Sequence, residues 1–376
     1  MTKPYKLKLL FFITEDWYFV SHRLRLAIAA RNAGYNVVIL CRVQNHYQQI
    51  IDSGLKLIPF ENSRGGTSIL SEFNTLIRLV KVYRRERPAI VHHVAIKPVL
   101  YGSIAAMFSG SPRMINAIVG MGWLRPNNRG GNFFKAIIRW IIGKLIKSGY
   151  VIVQNPNDME EILSMGIRES QIRLIPGSGV DLNIFHSSPH PDGPPIIVLP
   201  ARLLWDKGLG EFIEAAQIIL KKNIPAKFVL AGLPDKENPL SVSDENISIW
   251  VKKGIVTHLG WVNDMANLLE KSNIVCLPSY GEGLPKSLIE AAASSRPIVT
   301  TDVPGCREVV AHGVNGLLVP PKDSVALAEA LETLIMNPGL RLKMGDLGRS
   351  IAEKEFGIDS INSKTLDLYE ESLLIK

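Results

Sequence analysis

Short apolar runs alternate along this chain with longer stretches in which apolar side chains recur every three or four positions. The runs predict strands over 7–13, 36–41, 89–94, 113–119 and 150–153, and the longer periods predict helices over 19–33, 69–86, 98–108 and 132–147. The segment Ser187 to Pro195, SSPHPDGPP, suits neither a helix nor a central strand and reads as a linker. Beyond it the alternation restarts, with strands over 196–200, 226–231, 255–259, 274–277, 297–300 and 316–319 and a last helix over 358–374. Strands that alternate with helices build parallel sheets and bind ligands at the strands' carboxyl ends. The expected fold class is α/β, two Rossmann-like doubly wound domains facing across a cleft. Residues 1–187 form the first domain and 188–356 the second, and 357–376 form a helix packing back on the first.

Length supports two domains, since 376 residues exceed what one core usually serves. Cys41, Cys276 and Cys306 form no CxxC pair and read as buried thiols in a reducing compartment. The apolar N-terminal run is cut short by Glu15 and Asp16, which suits a first strand better than a signal peptide. No apolar run approaches the ~20 residues of a membrane span. Charge is uneven: residues 1–187 carry 24 Lys and Arg against 11 Asp and Glu, while the remainder carries 19 against 24. A basic half points to an anionic surface, either nucleic acid or anionic lipid.

Two basic stretches bear on that choice. In 132–147, Phe134, Ile137, Ile138, Ile141, Ile142 and Leu145 share one helical face, while Lys135, Arg139 and Lys147 lie opposite and Lys144 sits near the end. A core helix with a solvated basic face fits this pattern, and so does a helix lying in a membrane interface. Lys81-Val82-Tyr83-Arg84-Arg85-Glu86-Arg87 adds a second basic helix end. Base-stacking aromatics are scarce among these charges, which favours an anionic membrane surface over nucleic acid. His92-His93 ends a strand before Lys97-Pro98, and His92 is the candidate for touching a ligand there. Gly120-Met121-Gly122-Trp123 is a further strand end whose glycines let a ligand approach the backbone.

The second half carries the clearest chemistry. Strand 274–277 stops at Pro278, the turn Gly281-Glu282-Gly283-Leu284-Pro285 follows, and a small-residue helix opens near Lys286. Helix N-termini offer unpaired N–H groups to anions. Glu282 and Glu290 repel a bare phosphate and suit sugar hydroxyls instead, so a sugar nucleotide is the expected ligand. Arg202 and Lys207, in the loop after strand 196–200, are placed to neutralise a departing diphosphate. No Asp-x-Asp occurs, so a metal at the diphosphate has no obvious ligands and no cofactor is expected. Neither GxGxxG nor GxxxxGK[ST] is present, which removes the dinucleotide and P-loop fingerprints.

Glu282 and Glu290, with seven residues including GLPKS between them, stand with Arg202, Lys207-Gly208, Gly260-Trp261 and Pro176-Gly177-Ser178-Gly179-Val180-Asp181. Together these residues resemble the retaining glycosyltransferases of family 4, which have the GT-B fold. The wording of PGSGVD and LPSYGEGLPKSLIEA is similar to the bacterial subgroup that builds lipid-linked oligosaccharides for O-antigen, capsule or glycoprotein glycans. The resemblance implies a UDP-sugar donor and an undecaprenyl-diphosphate-linked acceptor, used by a peripheral enzyme at the cytoplasmic membrane face. It implies that Arg202 and Lys207 hold the diphosphate, Glu290 the ribose and Glu282 the donor sugar. Backbone N–H groups of the stretch Gly283, Leu284, Pro285, Lys286 and Ser287 would meet the β-phosphate, although Pro285 has none to give. Gly260, Trp261 and Val262 would flank the uracil. The first half departs from the pattern, with Glu15-Asp16-Trp17-Tyr18 in the loop where many members carry Gly-Gly and Val94 where a second histidine would fall. Ser21, His22 and His92 are therefore its candidate groups. A sugar-nucleotide epimerase of the same architecture is the alternative.

Overall fold

A computed structural model describes residues 7–61, 69–110, 112–120 and 132–374 of the chain. The expected ligand turn at Met121-Gly122-Trp123 and the side chain of Lys135 lie outside the described residues. The chain divides into two compact units. One runs to Ser178 and takes up the chain again from Ser360; the other is Gly179–Asp359.

The first unit holds seven parallel strands: β1 Lys8–Glu15, β2 Asn36–Arg42, β3 Lys56–Pro59, β4 Ile90–Val94, β5 Arg113–Ala117, β6 Tyr150–Val153 and β7 Ile172–Leu174. They lie in the order β3-β2-β1-β4-β5-β6-β7. β1 is buried on both faces, as a central parallel strand must be. Leu9, Phe11 and Ile13 join one apolar cluster with Phe19 and Leu26, and Leu10 and Phe12 join the opposite one with Leu79 and Tyr83. The helix Ile358–Leu374 closes the first cluster with Ile361, Leu368 and Tyr369.

The second unit repeats the plan with β8 Ile196–Pro200, β9 Lys227–Ala231, β10 Thr257–His258, β11 Ile274–Leu277, β12 Ile298–Thr301 and β13 Gly316–Val319. Their order is β10-β9-β8-β11-β12-β13, again all parallel. In each unit the order reverses beside the first strand, between β1 and β4 and between β8 and β11. Such a switch point opens a crevice at the carboxyl ends.

Three features differ from the sequence expectation. The division falls at Ser178/Gly179 instead of 187/188, because Val180 pairs with Gly357 and packs with Phe185 and Phe356 in a second-unit cluster. β3 and β7 are additional short edge strands. The helix expected over 19–33 is two helices, Asp16–His22 and Leu24–Asn32, broken at Arg23 with φ −129° and ψ −11°. The three cysteines are buried free thiols.

Candidate active site

Five strand-end loops of the second unit interlock beside the β8/β11 switch point. The loop after β8 carries Arg202 and Lys207 and ends at Gly208, whose φ is +74°. A Cβ there would collide with the Pro278 carbonyl oxygen in the loop after β11, so only glycine allows this approach. Tyr280 N–H donates to the Asp206 carbonyl at 2.9 Å, and Ser279 Oγ donates to the same oxygen at 3.2 Å. Tyr280 Oη donates to Glu211 Oε1 at 2.7 Å. Burial and the neighbouring Glu211 push the Tyr280 hydroxyl pKa well up, so it stays protonated.

This stitching brings Lys207 Nζ to 2.6 Å from Glu282 Oε1, with side-chain exposures of 17% and 14%. The Glu282-Gly283 backbone in turn rests on Gly305 at φ +85°, where a Cβ would sit 2.6 Å from both carbonyl oxygens. Helix Lys286–Ala293 opens at Pro285, which supplies no side-chain cap. Its first amides remain available to an oxyanion. One turn along, Lys286 Nζ lies 2.5 Å from Glu290 Oε1, and Glu290 is only 6% exposed. Gly283, Leu284 and Pro285 are buried and Ser287 is half-buried.

Arg202 points outward with 42% of its side chain exposed and donates to Asp235 Oδ2 at 2.7 Å. Asp235 lies beyond the end of β9. Gly260, at φ +68°, accepts the Gly232 N–H at 2.8 Å. Beside it Trp261 is 58% exposed, with Nε1 donating to Asn263 Oδ1 at 2.8 Å, while Val262 packs on the core. Among the described residues no group of three or more His, Cys, Asp or Glu side chains is placed to hold a metal.

The structure thus brings Arg202, Lys207, Glu282, Glu290 and the Gly260 loop into one unit and pairs the two catalytic candidates Lys207 and Glu282 directly. Sequence reasoning missed Asp235, Tyr280 and Glu211. Asp235 was within reach of it, as a carboxylate in the Leu-Pro-Asp-Lys loop after a predicted strand.

The first-unit candidates fare differently. His92 was expected to face a ligand; it is fully buried in mid-strand, stacked on Phe11 with centroids 5.0 Å apart. Its Nδ1 lies 2.6 Å from Tyr369 Oη, because the C-terminal helix covers this face of β4. Burial, then the Arg23 and His93 charges, drive its pKa well below the usual imidazole value. His93 is also buried, between Tyr83 Oη and Asn116 Oδ1, and burial pushes it down to about 4. Ser21 is exposed on helix Asp16–His22, and His22 stacks flat on Tyr18 at 4.3 Å. Asp16 takes the place of a glycine loop: its Oδ2 accepts backbone N–H groups from Gln44, Asn45 and His46 at 2.7, 3.0 and 2.9 Å. Burial raises its pKa, and these amide bonds more than offset that, holding the carboxylate ionised below its ordinary value.

In helix Asn132–Ile146 the core reading holds for Ile142 and Ile146, while Ile137 and Trp140 are exposed. Arg139 is engaged by Glu161, so it is not a free surface charge; Lys144 lies over the Trp140 ring at 5.8 Å, and Lys147 is exposed. Helix Ile69–Glu86 presents a clearer apolar stripe, Leu70, Phe73 and Ile77, the first two 80% and 62% exposed. Lys81 and Arg84 continue the stripe, and Arg84 Nε donates to the carbonyl of Phe108, which is itself exposed beside Met107.

Two family patterns match the chain, "Glycosyl transferase 4-like" over residues 8–155 and "Glycosyl transferases group 1" over 181–351. The chain belongs to the family 4 glycosyltransferases. It is 29% identical to the Campylobacter jejuni N,N'-diacetylbacillosaminyl-diphospho-undecaprenol alpha-1,3-N-acetylgalactosaminyltransferase, over 93% of this chain and 94% of that one. It is 23% identical to the Escherichia coli UDP-Gal:alpha-D-GlcNAc-diphosphoundecaprenol alpha-1,3-galactosyltransferase, over 92% and 91%. Among solved structures, Anabaena HepE in complex with UDP and glucose covers 97% of this chain and 100% of its own, with TM-score 0.79 at 18% identity. The fold is therefore GT-B, and the chain is a glycosyltransferase. That relationship favours transfer over the epimerase alternative.

Proposed function

We propose that this glycosyltransferase moves a hexose or N-acetylhexosamine-type sugar from a UDP-sugar to an undecaprenyl-diphosphate-linked saccharide, with retention of configuration. The observation that carries the donor half is the contact of Lys207 with Glu282 beside a helix N-terminus that lacks a side-chain cap. One cation, one carboxylate and a row of amides match a diphosphate joined to a polyhydroxylated ring. Lys207 and Arg202 take the diphosphate and neutralise charge as the sugar–phosphate bond breaks. Glu282 accepts from donor-sugar hydroxyls, Glu290 from the ribose, and the amides of Leu284, Lys286 and Ser287 meet the β-phosphate. Gly260, Trp261 and Val262 border the uracil. With two side-chain cations supplying the counter-charge, the reaction needs no metal. The leaving phosphate oxygen takes the acceptor's proton during attack from the same face.

The acceptor half rests on the relatives' names and on the first unit's surface. Among the described residues no helix is long and apolar enough to cross a membrane. Leu70, Phe73 and Ile77 with Lys81 and Arg84 suit shallow insertion among anionic headgroups, which supports a peripheral position, read here as the cytoplasmic face. This moves the expected membrane contact from helix 132–147 to helix 69–86. Nucleic acid is not a partner in this reading.

The test is donor hydrolysis by purified protein with a panel of UDP-, GDP- and ADP-sugars, reading released nucleotide, followed by NMR of the product anomer. UDP release and an α-product from an α-donor are expected; selective GDP or ADP release, or an inverted product, would sink the proposal.

A further inference from the structure

Apart from the donor loops, the second unit holds a cavity of about 390 Å³, within the ~300–1,000 Å³ usual for small-molecule sites. Ile184, His186 and Ser188 line one side, and helix Met265–Glu270 with the preceding Asp264 lines another. Ser294 completes the lining. Ser294 follows the last of the 8 residues in helix Lys286–Ala293, so roughly 12 Å of helix separates it from the first turn proposed to meet the donor. The two sites are distinct.

The lining is fixed from behind by Arg296, which is fully buried. Its Nη2 donates to the Ser188 carbonyl at 3.0 Å and to Ser188 Oγ, and its Nε donates to the Leu269 carbonyl at 2.9 Å. Ser188 Oγ accepts from Arg296, so its own proton is left to donate elsewhere. Asp264 Oδ1 accepts the Asn267 N–H at 3.0 Å, which sets that carboxylate. Burial lowers the Arg296 pKa to about 10 and the Glu270 carboxylate opposes this, so the guanidinium keeps its charge at neutral pH and offsets that of Glu270.

The chemistry of this lining selects its occupant. Asp264 and Glu270 repel phosphates and nucleotides, and the Arg296 charge behind Ser188 disfavours an amine. A neutral molecule that both donates and accepts satisfies the whole set. The carboxylates take hydroxyl protons, while Ser188, Ser294 and the Asn267 amide serve a hydroxyl in either sense. Ile184, 45% exposed, and Ala266 add an apolar surface that suits the C–H face of a sugar ring.

We propose that this cavity is a second carbohydrate site, which binds a neutral saccharide apart from the donor. It is built by the second unit alone and does not rest on the reading under Proposed function. A saccharide carried on a lipid diphosphate and a free oligosaccharide share this chemistry, and the experiment separates the two.

Saturation-transfer difference NMR is run on the full chain with saturating UDP, so that the donor site is filled. Maltose, N-acetyllactosamine and N,N'-diacetylchitobiose are titrated, with spermidine and inorganic pyrophosphate as charged comparators. Saturable binding of at least one sugar is expected. Glu270→Gln combined with Asn267→Ala, both exposed side chains, should weaken it about tenfold, the scale of one or two lost hydrogen bonds. UDP affinity and Tm should stay at parent values. Ala266→Trp, which fills the cavity, should abolish sugar binding. Absence of saturable binding of any sugar, binding that survives both changes, or preference for spermidine or pyrophosphate would overturn the site. With a short-chain polyprenyl-diphosphate-linked saccharide, a raised acceptor KM in the double variant assigns the site to the lipid-linked saccharide. An unchanged KM beside weakened sugar binding assigns it to free oligosaccharide. A parent that transfers no sugar to this acceptor defeats the functional reading and leaves the NMR result standing.

Discussion

Lys207 Nζ and Glu282 Oε1 are 2.6 Å apart although 75 residues separate them in the chain. The pair joins the loop after β8 to the loop after β11, so the groups proposed to meet phosphate and sugar are set by one contact. In the proposed donor complex this ion pair is exchanged for contacts with ligand.

Glu282→Ala is expected to abolish sugar transfer while leaving UDP affinity unchanged or tighter, because it releases Lys207 from its carboxylate. Calorimetry with UDP alongside a transfer assay checks this; parallel loss of both would remove the sugar-hydroxyl role of Glu282.

Lys207→Ala and Arg202→Ala should each lower kcat/KM by at least ~10²-fold, the scale of losing one preorganised charge at a leaving group. Asp235→Asn, which leaves Arg202 charged and only loosens its orientation, should cost less than either. Steady-state kinetics on the three variants orders them.

Gly208→Ala places a Cβ against the Pro278 carbonyl in a left-handed conformation. A loss of about 2 kcal/mol or more is expected from the strained backbone and the displaced loop. Urea denaturation measures it, and activity should fall with it because the Lys207–Glu282 contact depends on this approach.

Replacing Leu70, Phe73 and Ile77 by Ser should weaken sedimentation with anionic liposomes while leaving Tm nearly unchanged, since these side chains are exposed. Arg139→Gln should do the reverse, because it breaks the pairing with Glu161. Liposome binding indifferent to the triple change would return the membrane contact to another surface.

His93 has its pKa lowered by burial to about 4 in the folded chain against an ordinary 6.5, and burial also holds His92 well below that ordinary value. The unfolded chain therefore binds more protons as pH falls, and stability present above about 6.5 declines toward 4. Each such group costs roughly 1.4 kcal/mol per pH unit within that window. Chemical denaturation at pH 7, 5.5 and 4.5 should follow this slope, and His93→Gln should flatten it.

Much of this architecture is legible in the amino-acid pattern. Central strands such as 7–13 and 274–277 announce themselves as continuous apolar runs, and Glu282, Glu290, Arg202 and Lys207 stand in loops that any doubly wound sheet sends to one edge. What stayed hidden depends on contacts distant in sequence. Nothing local in VHHV says that Tyr369 will cover His92, and the 3.6-residue period through Arg23 gives no sign of a break. β3 and β7 are too short to register as runs. The unit boundary depends on Val180 meeting Gly357, a pairing across most of a domain.

The C-terminal helix carries a consequence for biosynthesis. Leu368 and Tyr369 belong to the apolar cluster built around Phe11, yet a ribosome adds them only after the whole second unit. The Gly179–Asp359 unit is synthesised whole before them and contains its own clusters. Vectorial synthesis thus inverts the order of the chain: the unit begun first is finished last, and a nascent chain truncated before Ser360 leaves the face beside β1 uncovered for chaperones to hold.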